Sequence, residues 1–246
     1  MKTYWIVKLV VIILSSFSTK LVEAHHKIYS PRVEEGRQSF EWRGHFDLDD
    51  REAMNKSHHH VLETEYSWTK FWQSELELHI SDKKNLPLDW EKTEFQNQLQ
   101  IFDQQSFAAA LYFSYNFVSI SNKADELEYK FLSEYKFENF SFTNNLIFEK
   151  QVGDSAEGST EFSFSNYFFH TDPIYKNIFI GLIGFSEIGE INNFKTFHNQ
   201  EHQYGFQLNT EMQIKDVEYE FAFGYLHGLT DSSADHTFLW NIEIEL

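Results

Sequence analysis

The sequence predicts an all-β fold: a single closed antiparallel up-and-down β-barrel of about 12 strands. Three observations predict it. The 246-residue chain is 18% aromatic, with 26 Phe, yet it carries 24% charged residues and only 3 Pro. A chain rich in both must separate them sharply, and period-two alternation does so because successive strand side chains face opposite ways. The alternation recurs in segment after segment, with no convincing helical spacing beyond the first two dozen residues. Finally, the connections alternate between short turns and longer polar loops.

Residues 1–24 read as a signal peptide. Lys2 and Lys8 flank the start of an apolar run, Trp5 to Leu14. Val22-Glu23-Ala24 then fits cleavage after Ala24. The run stops far short of the roughly 20 residues of a membrane helix. Residues 25–38 are a polar periplasmic lead with Pro31 and Gly36 as breakers, and residues 39–246 are the barrel.

The strands follow in order. Strand one, about Ser39 to Leu48, sets Phe40, Trp42, Phe46 and Leu48 against Glu41, Arg43, His45 and Asp47. Strand two, about His60 to Trp68, sets Leu62, Tyr66 and Trp68 against Glu63 and Glu65. Strand three, about Trp72 to Ile80, sets Trp72, Leu76, Leu78 and Ile80 against Gln73, Glu75, Glu77 and His79. Strand four, about Glu91 to Ile101, opposes Phe95, Leu99 and Ile101 to Lys92, Glu94, Gln96, Gln98 and Gln100. Strand five, about Ser106 to Val118, is aromatic on one face and carries Tyr112, Ser114 and Asn116 on the other. Strand six, about Glu126 to Tyr135, opposes Leu127, Tyr129 and Phe131 to Glu126, Glu128, Lys130 and Glu134.

Strand seven, about Asn139 to Lys150, and strand eight, about Ser159 to His170, place Phe against Ser, Thr and Asn. Strand nine, about Asn177 to Ile188, is the most apolar and has no clear phase. Strand ten, about His202 to Ile214, carries Glu211 on its polar face. Strand eleven, about Val217 to His227, carries Glu218 and Glu220. The closing strand sets Phe238, Trp240, Ile242, Ile244 and Leu246 against Leu239, Asn241, Glu243 and Glu245. Each strand is long enough for the roughly 9–11 residues of a tilted membrane strand.

The closing strand, with its fully apolar face, resembles that of a bacterial outer-membrane β-barrel, although those usually finish on Phe or Trp. Taken whole, Ser39 to Leu246 resembles a small Gram-negative, porin-like outer-membrane barrel protein. The opening Ile28-Tyr29-Ser30-Pro31-Arg32-Val33-Glu34-Glu35-Gly36, followed by Phe40-Glu41-Trp42-Arg43-Gly44, is similar to that of a group of uncharacterised bacterial envelope proteins. The resemblance implies location in the outer membrane and a barrel architecture. It implies contact with outer-membrane lipid through the apolar faces and with the barrel-assembly machinery through the C-terminal strand.

The polar faces then line the lumen. Glu41, Glu63, Glu65, Glu75, Glu77, Glu211, Glu218, Glu220, Glu243 and Glu245 fall on consecutive strands and form an acidic wall. Arg43, Lys92 and Lys130 are the lumen bases. The opposite wall, strands four to nine, is expected to be neutral and polar. Dense carboxylates attract cations and repel anions. The expected function is therefore a narrow cation-leaning channel for small cations or polar solutes. A non-conducting envelope barrel is the alternative, and an outer-membrane lipid hydrolase a lesser one. His45 and Asp47 share the inward face of strand one beside Asp49 and Asp50. No phospholipase or protease motif accompanies them, so no catalytic residue is assigned.

The net charge of -18 excludes a nucleic-acid partner, which needs a positive footprint. With no cysteine, stability must come from packing or barrel closure. Neither a cofactor nor a metal site is expected. His58, His59 and His60 cannot all face one ion from an extended strand. A soluble barrel with its aromatic faces inward is the remaining fold alternative, but it must pack more than twenty rings inside.

Overall fold

The computed structural model describes residues 26–52, 54–82, 88–120 and 123–246. The expected signal peptide lies outside the described residues. Twelve strands form one closed sheet: β1 (Gln38–Leu48), β2 (His58–Thr69), β3 (Trp72–Asp82), β4 (Asp89–Gln104), β5 (Phe107–Val118), β6 (Asp125–Phe137), β7 (Phe140–Val152), β8 (Glu161–His170), β9 (Ile178–Glu190), β10 (Glu201–Ile214), β11 (Val217–Gly228) and β12 (His236–Glu245). Each strand pairs antiparallel with its sequence neighbours, and β1 closes on β12. Closure removes the open edges that an unpaired strand would present.

Side-chain alternation sorts the two faces. Phe40, Trp42, Leu76, Leu78, Phe95, Leu99, Leu111, Phe113, Phe206 and Phe223 stand exposed on the outside. Glu41, Glu63, Glu75, Glu77, Glu94, Gln96, Ser114 and Asn116 are buried inside. The apolar rings stand outside and the polar side chains inside, which removes the aromatic-inward alternative. On β12, Phe238, Trp240, Ile242 and Ile244 are half-buried and Leu246 is exposed. Their partners across the seam are Phe46, Gly44, Trp42 and Phe40. The Trp240 ring fills the space above Gly44, where a Cβ would lie 2.4 Å from it.

The short connections gather at one end. Those at 138–139 and 215–216 each place a non-glycine residue in the left-handed region, Glu138 at φ 48° and Lys215 at φ 59°. The longer loops gather at the other end, where Arg51 ties two together. It pairs with Asp49 at 2.6 Å and donates to the carbonyls of Asp231, Ser232 and Ser233.

Residues 26–33 of the lead run through the barrel interior. The physical reason is charge: the lead carries Lys27, Arg32 and Arg37 into a lumen rich in carboxylates. One expectation needs correction: the wall of β4–β9 is not neutral. It carries Glu94 and Glu128 among its fully buried side chains, with Glu126, Glu149, Glu161 and Glu187 nearby. Apolar side chains also reach the lumen. Ile183 and Phe185 of β9 pack inside with Leu226 and Leu239, which gives β9 its phase.

Candidate functional site: the lumen and its lead

Strand register arranges the lumen carboxylates in rows. Glu211 faces Glu220, and Glu220 faces Glu243. Glu243 faces Glu41, which faces Glu63. Glu63 faces Glu77, and Glu77 faces Glu94. One glutamate from each of seven adjacent strands therefore forms a continuous row. A second row runs Glu218, Glu245, Ser39, Glu65, Glu75, Gln96, Ser114, Glu128, Glu149 and Glu161. All ten glutamates of the expected acidic wall fall on these two rows.

Like charges directly opposite one another in a sheet are destabilising. At about 4 Å, two such charges repel by ~1 kcal/mol in water and ~4 kcal/mol at an effective dielectric of about 20. Cations must therefore sit among them. Arg43 spans the first row: it donates to Glu41 at 2.6 Å, to Glu63, and to Glu77 at 2.7 Å. On the far wall Lys130 pairs with Glu128 at 2.7 Å, and Lys92 lies 3.8 Å from Glu126.

The lead supplies the remaining cations. Starting from β1 it runs back up the lumen. Arg37 pairs with Glu243 at 2.8 Å and Glu245 at 2.9 Å. Gly36, at φ +86°, reverses the chain there. Arg32 pairs with Asp103 and Glu134 near the short turns, each at 2.5 Å. The Val33 amide donates to Gln100, and Gln98 donates to the Ser30 carbonyl. Asn145 meets both backbone groups of Tyr29, accepting from its N–H at 2.8 Å and donating to its C=O at 2.9 Å. At residues 29–33 the lead thus satisfies buried backbone groups through wall amides, whereas at Gly36 and Arg37 it bonds the Ser67 backbone of β2.

Further up, the Tyr29 hydroxyl donates to Glu77 at 3.1 Å. Its ring packs with Tyr112, Ala110 and Leu132. Lys130 Nζ lies 3.9 Å from the centroid of the Tyr29 ring and 4.1 Å from that of Tyr112. Lys27 donates to both oxygens of Glu63, at 2.5 and 2.6 Å, and lies 3.5 Å from Glu41. His26 reaches His45 and Gln203.

The lead fills the β4–β7 side of the lumen and leaves a cavity of about 350 Å³ on the other. Six carboxylates line it (Glu41, Glu65, Glu75, Glu211, Glu220 and Glu243) against four bases, Lys27, Arg32, Arg37 and Arg43. The excess is negative but modest, because the lead offsets much of the wall. Of the expected basic residues, Arg43 borders this space, whereas Lys92 and Lys130 are buried in the far wall.

Two carboxylate groups have the spacing of cation ligands: Glu63, Glu75 and Glu77, and Glu77, His79 and Glu94, with ligand atoms within 4.8 Å. The first already holds the Lys27 ammonium and the Arg43 guanidinium. In the second, His79 bonds Glu77 at 2.7 Å, while Tyr112 donates to Glu94. The three consecutive histidines split as strand geometry requires: His59 points inward near His45 and His79, and His60 lies outside against Trp42 and Trp240. His45 Nε2 lies 3.6 Å from Asp47. The nearby Ser57 and Thr237 hydroxyls donate to Asp47, an arrangement for holding a carboxylate rather than activating a nucleophile.

Sequence reasoning missed the lead's place and the register. Three cations, Lys27, Arg32 and Arg37, in a fourteen-residue lead ahead of an acidic barrel were the available signal for the first.

No protein-family model matches the chain, and no curated protein sequence matches it. Solved structures do. A NanC porin structure is similar with a TM-score of 0.57 at 12% identity, over 84% of this chain and 98% of that one. A KdgM porin structure matches with a TM-score of 0.54 at 10% identity, over 84% and 97%. KdgM in complex with disordered oligogalacturonate gives 0.52 at 9% identity, over 84% and 97%. At these identities the likeness is one of fold. The chain has the small outer-membrane, porin-like β-barrel fold.

Proposed function

We propose that this protein resides in the outer membrane, after removal of residues 1–24, and passes small cations or neutral polar solutes through the space beside its lead. The observation that carries this reading is the row of facing glutamates along the 350 Å³ cavity. A pore lined by an excess of one charge concentrates the opposite ion and repels its own. The lead narrows the path and lowers its net charge, so the current is small and the selectivity moderate. An acidic polysaccharide such as the oligogalacturonate of the KdgM complex suits this lumen poorly, because it meets carboxylates along one whole side. The apolar outer face contacts lipid, and the C-terminal strand engages the barrel-assembly machinery.

The test is reversal potential in planar bilayers under a KCl gradient. The reading predicts a small cation-selective current, with selectivity reduced in the Glu211→Gln, Glu220→Gln, Glu243→Gln triple variant. An anion-selective current, or selectivity unchanged in that variant, contradicts it. A non-conducting envelope barrel is the second reading. It is favoured by the close packing of Tyr29 against Tyr112, Ala110 and Leu132, which fills part of the lumen. Silence at all voltages would establish it.

A further inference from the structure

The outer face of β6, β7 and β8 is built in rows, because register sets one outward residue of each strand beside the next. Tyr129, Phe148 and Phe162 form a row toward the long loops, and Phe131, Leu146 and Phe164 the row below it. Toward the short turns come Tyr135, Phe142 and Phe168, then Phe137, Phe140 and His170. The middle of these five rows breaks the pattern: it is Ser133, Asn144 and Asn166. All three are half-buried and share their face with the exposed Phe131, Phe142 and Phe168.

Rows lie about 6.6–6.8 Å apart along a strand, so two rows on either side put these groups near the middle of an apolar band about 25 Å tall. Hydrocarbon offers no hydrogen bond, and polar groups at that depth need a protein partner. The Ser133 hydroxyl has one in its own sheet, the Asn144 carbonyl at 3.4 Å. The side-chain carboxamides of Asn144 and Asn166 make no hydrogen bond to any of the described residues. Asn97, outward on β4, is the contrast: its Oδ1 accepts from Trp72 Nε1 at 3.0 Å and from Ser74 Oγ at 2.8 Å.

A carboxamide carries both an acceptor oxygen and two donor hydrogens, so it is its own complement. A second copy inserted the same way presents the same row at the same depth. A two-fold axis along the membrane normal sets Asn144 and Asn166 of one copy against the same pair of the other, the isologous contact of a symmetric dimer. We propose that the β6–β8 face is an interface between two copies of this chain in the membrane, with Asn144 and Asn166 at its hydrogen-bonded centre. The proposal rests on the reading that the outer face meets lipid, and not on whether the lumen conducts.

The chain has no cysteine, so an introduced one is the sole thiol. The test treats isolated outer membranes carrying the full chain with a bis-maleimide. Leu146→Cys, one row above Asn144, is compared with Leu78→Cys, outward on β3 and four strands away. The expected result is a product of two-chain mass from Leu146→Cys, and about fivefold less of it from Leu78→Cys. Adding Asn144→Leu and Asn166→Leu to Leu146→Cys should lower that product about fivefold, as expected for amide bonds lost between membrane segments. These changes leave the outer face apolar, and a mobility shift on boiling verifies that each barrel is folded. A folded, membrane-bound barrel overturns the proposal alone if it gives no two-chain product, a product of another mass, equal yields from the two cysteine positions, or an undiminished yield without the asparagines. Recovery in the soluble fraction overturns the membrane reading and the proposal together.

Discussion

At the scale of single residues, the lumen is a problem in buried charge. Lys27 lies among Glu63, Glu41 and Glu75, with side chains almost wholly enclosed. Removing one partner of such a group leaves uncompensated charge and typically costs about 3–5 kcal/mol. Lys27→Met is therefore expected to lower the unfolding midpoint in urea, and adding Glu63→Gln to recover part of the loss. If Lys27→Met matches the unaltered chain, the lead is not held in the lumen. Outside the strands, the Arg51 hydrogen bonds hold the Asp49 carboxyl below its usual range, against the opposing effect of burial. A carboxylate depressed on folding stabilises fully above its unfolded pKa, about 3.9, and loses that contribution as pH falls through the folded value. Asp49→Asn should thus cost stability at pH 7 and very little at the acid end. Equal loss at both pH values would mean the pair contributes only packing.

At the scale of elements, alternation made the strands legible and left their register hidden. The polar face of β1 can be read from Glu41, Arg43, His45 and Asp47, because burying one face leaves only one phase for the strand. That Glu41 stands opposite Glu243 and Glu63 depends on turn geometry and on where the sheet closes, which period-two patterning does not encode. β9 had no legible phase because Ile183 and Phe185 face inward while Leu182 faces outward, so both faces are apolar. The lead was illegible for a different reason: it has no periodicity, and its backbone is satisfied by Asn145, Gln98 and Gln100 from distant strands. Close strand contact can also be tested. A Cβ at Gly205 would lie 1.7 Å from the Tyr225 carbonyl oxygen. Gly205→Val should therefore disturb β10–β11 pairing and reduce the yield of folded barrel; an unchanged yield would show that this pair separates easily.

At the scale of the whole molecule, a row of facing carboxylates and a cationic lead belong to one design. The barrel gains closure from its twelve strands, and the lead supplies Lys27, Arg32 and Arg37 to a lumen that otherwise repels itself. An outer-membrane barrel resists detergent until boiled, so the unheated protein should migrate differently from the boiled one. It should also fractionate with outer membranes. Identical migration, with recovery in the soluble fraction, would mean that the exposed Phe and Trp belt is covered by something other than lipid.

The most direct measurement compares single-channel conductance of the full chain with that of a chain lacking residues 27–33, each shown to be folded by its shift on boiling. The lead occupies one side of the lumen and neutralises part of the other. Removing it should raise conductance several-fold and strengthen cation selectivity, because the glutamate row then faces open water. Equal conductance and equal selectivity in the two chains would contradict a lead threaded through the lumen.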